Sequence, residues 1–327
     1  MANMRDVAKK AGVGLGTVSR VINNSPSVNS ETKKRVLQVI EELGYIPNEI
    51  ARNLSTKKTN IIAFILPHSN HAFFSEITYH LEKYLYLKGY KLMICNSGSD
   101  REKELEFINM LKQNMVDGII FLTNNPIDPY LDPDLPIISF DRQFANIPYV
   151  TSDNYHGGQI AAKKLLSKNP KKLVFIGNDA QGESSPIKTT LSQRRIGFLD
   201  YLKEKDFTNI EVLEYPKGDF FIPVEEVDRI ITKHQDADGF FAISDMLAGV
   251  VLQTLEKLGK KIPRDASIIG FDGVKYYWNT TFQISSIKQD LEKIAEALVS
   301  TIIRKINKEQ NIEPIILPVS YVKGDTL

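Results

Sequence analysis

From residue 61 onward, apolar runs of four to six residues alternate with stretches of helical periodicity, and this alternation constrains the fold more than any other feature. The apolar runs span 61–66, 91–95, 118–122, 137–140, 173–176, 212–215, 239–243 and 267–271. Helical spacing covers 74–87, 101–113, 155–166, 194–203, 224–234, 246–258 and 291–306. Strands that are apolar throughout are covered on both faces, and helices inserted between them supply the cover. The pattern predicts a parallel α/β body. So many strands exceed one comfortable open sheet, which points to two Rossmann-like lobes.

Residues 1–60 follow a different rule. Helical spacing over 5–11 puts Val7, Ala8 and Ala11 on one face. Gly12-Val13-Gly14 breaks it, and 17–22 resumes helical spacing with Val18, Val21 and Ile22 apolar. Two short helices across a glycine-containing turn form a helix-turn-helix pattern. A third helix, capped by Asn29 or Ser30, runs to about residue 43 with Val36, Leu37, Ile40 and Leu43 expected inward. Gly44 stands at its stop.

Charge divides at the same place. The whole chain has a net charge of +1, which read alone argues against a strongly basic nucleic-acid binder. Residues 1–60 hold ten Lys/Arg and five Asp/Glu, a local +5, whereas the other 267 residues hold 31 and 35, or −4. A basic head on a mildly acidic body suggests a nucleic-acid module joined to something else. In a helix-turn-helix the start of the second helix enters the major groove. Leu15, Gly16, Thr17, Ser19, Arg20 and Asn23 occupy its start or its polar side. Arg20 suits a bidentate contact to guanine O6 and N7, and Thr17 or Ser19 suits phosphate or a base edge.

Other classes are set aside quickly. The single cysteine, Cys95, allows no intrachain disulfide and reads as a buried structural thiol. No apolar leader opens the chain, and no apolar run is long enough to span a bilayer, so a cytoplasmic protein without membrane contact is expected. Residues 177–184 approach a phosphate loop, but Glu183 replaces the phosphate-binding lysine. His68 and His71 lie in a loop without a carboxylate or thiol at ligand spacing, so no metal or other cofactor is expected. No nucleophile elbow or paired-carboxylate motif points to an enzyme.

Asp6-Val7-Ala8, Ala11-Gly12-Val13, Thr17-Val18-Ser19-Arg20-Val21-Ile22-Asn23 and Gly44-Tyr45-Ile46-Pro47-Asn48 with Ala51-Arg52-Asn53-Leu54 resemble the lac repressor (LacI/GalR) family of bacterial transcription regulators. The body is similar too. The resemblance implies domains at 1–46 (helix-turn-helix), 47–60 (hinge helix and linker) and 61–327 (effector binding and dimerisation). It implies a periplasmic-binding-protein-like body, with one lobe of about 61–153 plus 288–316 and another of about 154–287 plus 317–327. Asn48 would cap the hinge helix, and Leu54, with Ala51 beside it, would wedge into the minor groove of a palindromic operator. The departure from the family pattern is at Leu15 and Gly16, positions that help set the operator sequence. Gly16 has no side chain to read with, which leaves base contacts to Thr17 and Arg20.

Ligands of open α/β sheets sit beyond the carboxyl ends of the strands. Polar residues gather there: Asn70 and Phe73 after the first strand, Asp141-Arg142, Ser152-Asp153-Asn154, Ser244-Asp245, Asp272, Arg194 opening a helix, and Phe220 after a glycine-containing turn. Carboxylates, a guanidinium and aromatic rings suit a polyhydroxylated ligand. The resemblance makes Asp272 and Arg194 the leading effector residues, followed by Asp153, Ser244, Phe73 and Phe220. The expected function is an induced repressor of a sugar-utilisation operon, homodimeric, binding double-stranded operator DNA and a sugar or sugar phosphate. Residues 138–142, 148–154 and Gly157-Gly158 are similar to sucrose-operon-type sugar repressors. A corepressor-dependent catabolite-control regulator is the alternative. A sugar-binding protein or enzyme on the same body is the alternative of a different class.

Overall fold

A computed structural model describes residues 2–46, 58–177, 192–214, 224–274 and 283–327. Contacts divide the chain into two compact units, Met1–Thr59 and Asn60–Leu327.

In the first unit, α1 (Met4–Ala11) begins with a reciprocal cap. The Asn3 side chain accepts from the Arg5 and Asp6 backbone N–H groups, and the Asp6 carboxylate accepts from Asn3 N–H at 2.9 Å. Three backbone donors at the start of the helix thus find side-chain acceptors. Gly12, at φ 65°, ends the helix. Next come α2 (Leu15–Ile22) and α3 (Ser30–Glu42), the latter capped by Asn29, which accepts from Thr32 N–H at 2.8 Å. Val7, Ala8, Ala11, Val18, Val21, Val36 and Val39 form the core. One expectation is corrected here: Leu37 is 46% exposed, and Val39 is buried instead. The inward stripe of α3 runs through 36, 39, 40 and 43, and Leu37 lies about 100° away from Val36 around the helix.

The second unit contains two six-stranded sheets. The first lobe is built from β1 (Ile61–Leu66), α4 (Ala72–Leu87), β2 (Lys91–Asn96), α5 (Arg101–Lys112), β3 (Gly118–Phe121), β4 (Ile137–Phe140) and β5 (Tyr149–Ser152). The second continues with α6 (Asn154–Leu166), β6 (Leu173–Gly177), α7 (Ser192–Glu204), β7 (Ile210–Glu214), α8 (Val224–Lys233), β8 (Gly239–Ala242), α9 (Asp245–Lys257), β9 (Ser267–Asp272) and β10 (Ser285–Lys288). The chain then returns to the first lobe as α10 (Leu291–Ile306) and β11 (Ile315–Leu317), and crosses again to β12 (Ser320–Val322).

The first sheet has the order β11-β5-β4-β3-β1-β2, parallel throughout. Successive residues of a strand face opposite sides. Ile62, Phe64 and Leu66 of β1 therefore pack with α4 and α10, while Ala63 and Ile65 pack with Ile108 and Leu111 of α5. The second sheet has the order β12-β10-β9-β8-β6-β7. It departs from the expected all-parallel pairing at one edge, where β12 runs antiparallel to β10. After its third crossing the chain simply reverses beside β10 and needs no crossover helix.

Four strands lie outside the eight apolar runs, β5, β10, β11 and β12, and two of them, β5 and β10, are buried. Their serines and threonine are buried: Thr151 is 3% exposed, Ser285 0% and Ser286 2%. Backbone and hydroxyl hydrogen bonds compensate for that burial, such as Ser285 N–H to Thr326 Oγ1 at 2.9 Å and Gly324 N–H to Ser285 Oγ at 3.0 Å.

Close approach of α6 and α7 sets one side of the cleft. A Cβ on Gly158 would lie 2.7 Å from the Phe198 backbone nitrogen and would also strike the Arg194 carbonyl oxygen. A Cβ on Gly197 would meet the Tyr155 backbone. The two glycines let the helix backbones touch, which carries Arg194 in from the start of α7.

Candidate functional site

In the body, β4 is followed by an aspartate with positive φ, Asp141 at 57°, and β9 ends on another, Asp272 at 116°. Non-glycine residues are held in such conformations only where surrounding contacts enforce them. For Asp141 these include its N–H to Val150 O at 3.1 Å and Thr151 Oγ1 donating to its carboxylate at 2.7 Å. For Asp272 they include Gln289 N–H to its carbonyl at 3.1 Å, and Gly273 N–H to Ser286 Oγ at 3.0 Å next door.

Arg194 lies at the centre, 3% exposed. Its Nε donates to Asn154 Oδ1 at 2.7 Å, and its Nη1 donates to Ile243 O at 2.7 Å and approaches Asp272 Oδ1 at 3.5 Å. The guanidinium sits 3.7 Å above the centre of the Phe271 ring. Gln289 Nε2 donates to Asp272 Oδ1 at 2.9 Å. Asp245, 2% exposed, accepts from Ser286 Oγ at 2.5 Å and from Val274 N–H at 2.8 Å. The Asn154 carboxamide donates to Thr151 Oγ1 at 3.2 Å and to Ser152 O at 3.0 Å. A continuous hydrogen-bonded chain thus runs from Asp141 in the first lobe through Thr151, Asn154 and Arg194 to Asp272 in the second.

This buried cluster holds three carboxyl groups and one guanidinium. Burial pushes Asp272 up to about 7, against the opposing pull of Arg194 and Gln289. Burial, and next the neighbouring Asp272 charge, raise Asp245 well above the ordinary carboxylate range. Burial lowers Arg194, while Asp272, Asp141 and Asp245 favour its charged form. The Ser152 hydroxyl and Gln289 Oε1 are buried without a hydrogen-bond partner, each an unsatisfied group of the kind that costs about 1–3 kcal/mol. The arrangement can grip hydroxyl groups, because carboxylates accept from them and a guanidinium donates to them.

The expected site residues fall into several places. Asp272, Arg194 and Asp141 come together. Asp153 instead caps α6, its carboxylate accepting from His156 N–H at 2.9 Å. Ser244 caps α9, accepting from Leu247 N–H at 3.3 Å. Phe73 is 5% exposed and stacked on Phe140 in the core of the first lobe, with ring centres 5.9 Å apart. Asn70 is exposed in the loop before α4. Arg142 is turned into a separate buried knot. It donates to the Asn125 carbonyl and to Asp128 Oδ2 at 2.7 Å, and its guanidinium lies 4.0 Å from the centre of the Phe144 ring. Glu104 is buried close to this knot, held by the hydroxyls of Ser97 and Thr123, and burial raises its carboxyl. Phe220 lies outside the described residues. Asn154 and Asp245, named from sequence within the polar groups at the strand ends, belong to the cluster, and Gln289 is the member that sequence reasoning did not name. His71, pushed down to about 4 by burial and by neighbouring His68, is a neutral ring at neutral pH. Among the described residues no group of three or more His, Cys, Asp or Glu is placed to hold a metal ion.

In the head, α2 buries Val18 and Val21, packs Ile22 against the same core and turns its other face outward. Leu15 is 46% exposed, Arg20 and Asn23 are exposed, and Thr17 and Ser19 are half-buried. Gly14 caps α2 without a side-chain hydrogen bond. Asn48, Ala51 and Leu54 lie outside the described residues.

Residues 3–48 match the bacterial regulatory proteins of the lacI family, and residues 62–310 match a periplasmic binding protein domain. The chain is 36% identical to the sucrose operon repressor of Streptococcus mutans, over the full length of both proteins. It is 32% identical to the ribose operon repressor of Bacillus subtilis, over all of this chain and 98% of that one. A solved periplasmic binding protein/LacI transcriptional regulator from Alkaliphilus metalliredigens, complexed with D-xylulofuranose, is similar with a TM-score of 0.71 and 30% identity. That similarity covers 82% of this chain and 98% of the solved one. With a helix-turn-helix head, a two-lobed body and kinship along its whole length, the chain belongs to the lacI family of bacterial DNA-binding transcriptional regulators.

Proposed function

We propose that the chain is a repressor of a sugar-utilisation operon, released from its operator when an unphosphorylated sugar binds between the lobes. The observation that carries this reading is the buried chain from Asp141 through Arg194 to Asp272, which joins the carboxyl ends of strands in both lobes beside the crossovers. The similar proteins named above are repressors of sucrose and ribose operons, and the solved relative holds a ketopentose. The charge of the cluster selects among sugars. Among the described residues it sets three acidic side chains against one guanidinium, so that Arg194 is the one cation of the described cluster that could face a phosphate group.

In this reading Leu15, Thr17, Ser19, Arg20 and Asn23 meet the major groove, and the segment containing Asn48, Ala51 and Leu54 meets the minor groove between two half-sites. Two copies bind one palindrome, which matches the two-fold symmetry of such a site. The sugar acts by differential affinity for two lobe arrangements. Action on DNA places the protein in the bacterial cytoplasm. The test is a calorimetric screen of free and phosphorylated sugars combined with a gel shift on the upstream DNA. Release from DNA by a free sugar and not by its phosphate is expected. Absence of any retarded band at low salt would overturn the repressor reading, and tighter operator binding with sugar would reverse its direction.

A further inference from the structure

The first crossover between the lobes runs from Ser152 through Asp153 to Asn154, between the end of β5 and the start of α6. Asn154 is 2% exposed, and three of the four hydrogen-bonding positions of its carboxamide are used. Its Oδ1 accepts from Arg194 Nε at 2.7 Å, and its Nδ2 donates to Ser152 O at 3.0 Å and to Thr151 Oγ1 at 3.2 Å. The partners fix the orientation of the amide. Arg194 Nε–H can only donate, so it requires the amide oxygen, and the Ser152 carbonyl can only accept, so it requires the amide nitrogen. The Thr151 hydroxyl then points its hydrogen at Asp141 Oδ1, 2.7 Å away. Few side chains of this size accept from a guanidinium and donate to a crossover carbonyl at once. Leucine does neither, and an ionised aspartate does only the first.

Arg194 has few ways to shift without pulling on this amide. Its Nη1 is tied to Ile243 O, its face lies on Phe271, and the backbone of its helix is packed against Gly158. A ligand that draws Arg194 and Asp272 toward itself therefore strains a hydrogen bond whose other end is the crossover. We propose that Asn154 is a positioning residue that couples Arg194 to the first crossover, so that it sets how strongly sugar binding and operator binding oppose one another. This rests on the repressor reading above and adds to it the element through which the two sites communicate. Coupling of this kind is a free energy shared between sites, and energetic measurements on variants, not proximity alone, establish it.

The experiment uses the full-length protein, a labelled operator duplex from the upstream region, and sucrose, D-ribose and D-xylulose as probes at millimolar concentration. Three quantities are measured for wild type, Asn154→Asp, Thr151→Val and the double variant. These are sugar affinity by calorimetry, operator affinity without sugar by fluorescence anisotropy, and the ratio of operator affinities without and with saturating sugar. Asn154→Asp keeps the acceptor for Arg194 and loses both donors, whereas Thr151→Val cuts the same chain one link further on without changing charge. The expected result is a fall in the ratio of roughly tenfold in each single variant, the worth of one buried hydrogen bond to a charged network. Sugar-free operator affinity should stay within about threefold of wild type, and because both residues belong to the sugar-binding cluster the ratio is read at saturating sugar for each variant, so that a weaker sugar affinity does not enter it. The double variant should lose little more than either single one, since both cut one path. An unchanged ratio in Thr151→Val and Asn154→Asp, with wild type responding to a sugar, would overturn the role of Asn154 and leave the repressor reading standing. Parallel loss of melting temperature, operator affinity and sugar affinity would assign Asn154 a purely structural role. A wild-type protein whose operator binding ignores all three sugars would remove the effector reading and this inference with it.

Discussion

Replacing Asp272 by asparagine tests the electrostatics of the cleft directly. The side chain is 5% exposed, 3.5 Å from the Arg194 guanidinium and 2.9 Å from Gln289 Nε2. Burial holds its carboxyl at about 7, whereas an aspartate in an unfolded chain titrates near about 3.9. Between those values the folded state binds the proton that the unfolded state has lost. Stability therefore falls as pH rises from about 4 to about 7 and levels off above. A difference of about three pH units corresponds to at most about 4 kcal/mol at pH 8. Asp272→Asn is nearly isosteric and removes the titration. The variant should melt several degrees higher than wild type at pH 8 and close to wild type at pH 5, by scanning calorimetry of the body transition. The slope should shrink without vanishing, because Asp245 remains raised in the same cluster.

Ligand binding should respond in the opposite sense. Sugar hydroxyls donate to an ionised carboxylate, so wild-type affinity should weaken by up to about tenfold per pH unit below 7 as Asp272 takes up its proton. The asparagine variant loses two charge-assisted hydrogen bonds of about 1.5–3 kcal/mol each, a loss of at least about 100-fold in affinity. Operator binding without sugar should be unchanged. A normal sugar dose curve in Asp272→Asn, or an undiminished dependence of melting on pH, would refute this reasoning.

Three further substitutions probe separate parts of the molecule. Gly158→Ala places a methyl group against backbone at Phe198 and Arg194, which cannot rotate away, so α6 and α7 must separate at a cost of about 2 kcal/mol or more; calorimetry should show a lower melting temperature and weaker sugar binding. Arg20→Ala removes an exposed side chain from α2 and should cost operator binding about 1–3 kcal/mol in anisotropy titrations, with no change in melting of the head. Arg142→Met should lower melting temperature by breaking the ties to Asp128 and the Asn125 carbonyl, while calorimetric sugar affinity changes less than about threefold. A large loss of sugar binding in Arg142→Met would return that residue to the ligand.

Much of the fold is legible because two-sided burial writes itself into composition. Runs such as Ile61–Leu66 and Ser267–Asp272 are buried at nearly every position, and in the first of them alternate residues supply different cores. The strands that escape are those whose burial is balanced by hydrogen bonds and not by apolar surface. β10 reads Ser-Ser-Ile-Lys, yet its serines are fully inside because Thr326, Gly324, Gly273 and Asp245 satisfy them. Pairing at a distance of about forty residues leaves no mark in local sequence. Arg142 fails for the same reason: its place after a strand end is legible, but the carbonyl and carboxylate that capture it come from the separate segment 123–128.

At two helix starts the side chain that enters the buried cluster stands one position after the helix cap, and helix geometry accounts for it. At α6 and α9 the polar residue chosen from sequence was the helix cap, Asp153 or Ser244, and each spends its side chain on its own helix. The residue that follows, Asn154 or Asp245, is the one that enters the buried cluster. A cap residue has extended or irregular backbone and folds its side chain back over the next two or three N–H groups. The first helical residue has no such duty, and its side chain stays at the mouth of the helix, where the strand end and the cleft are. In an α/β lobe that mouth sits at the carboxyl edge of the sheet, so the position after a cap reaches the ligand zone while helix formation itself fixes its backbone. Asp245 has a cap before it and Val274 N–H and Ser286 Oγ holding its carboxylate, and Asn154 has a cap before it and a crossover carbonyl behind it. Both are therefore rigid polar groups where the lobes meet, and rigidity there lets a change of contact at Arg194 be felt at the crossover.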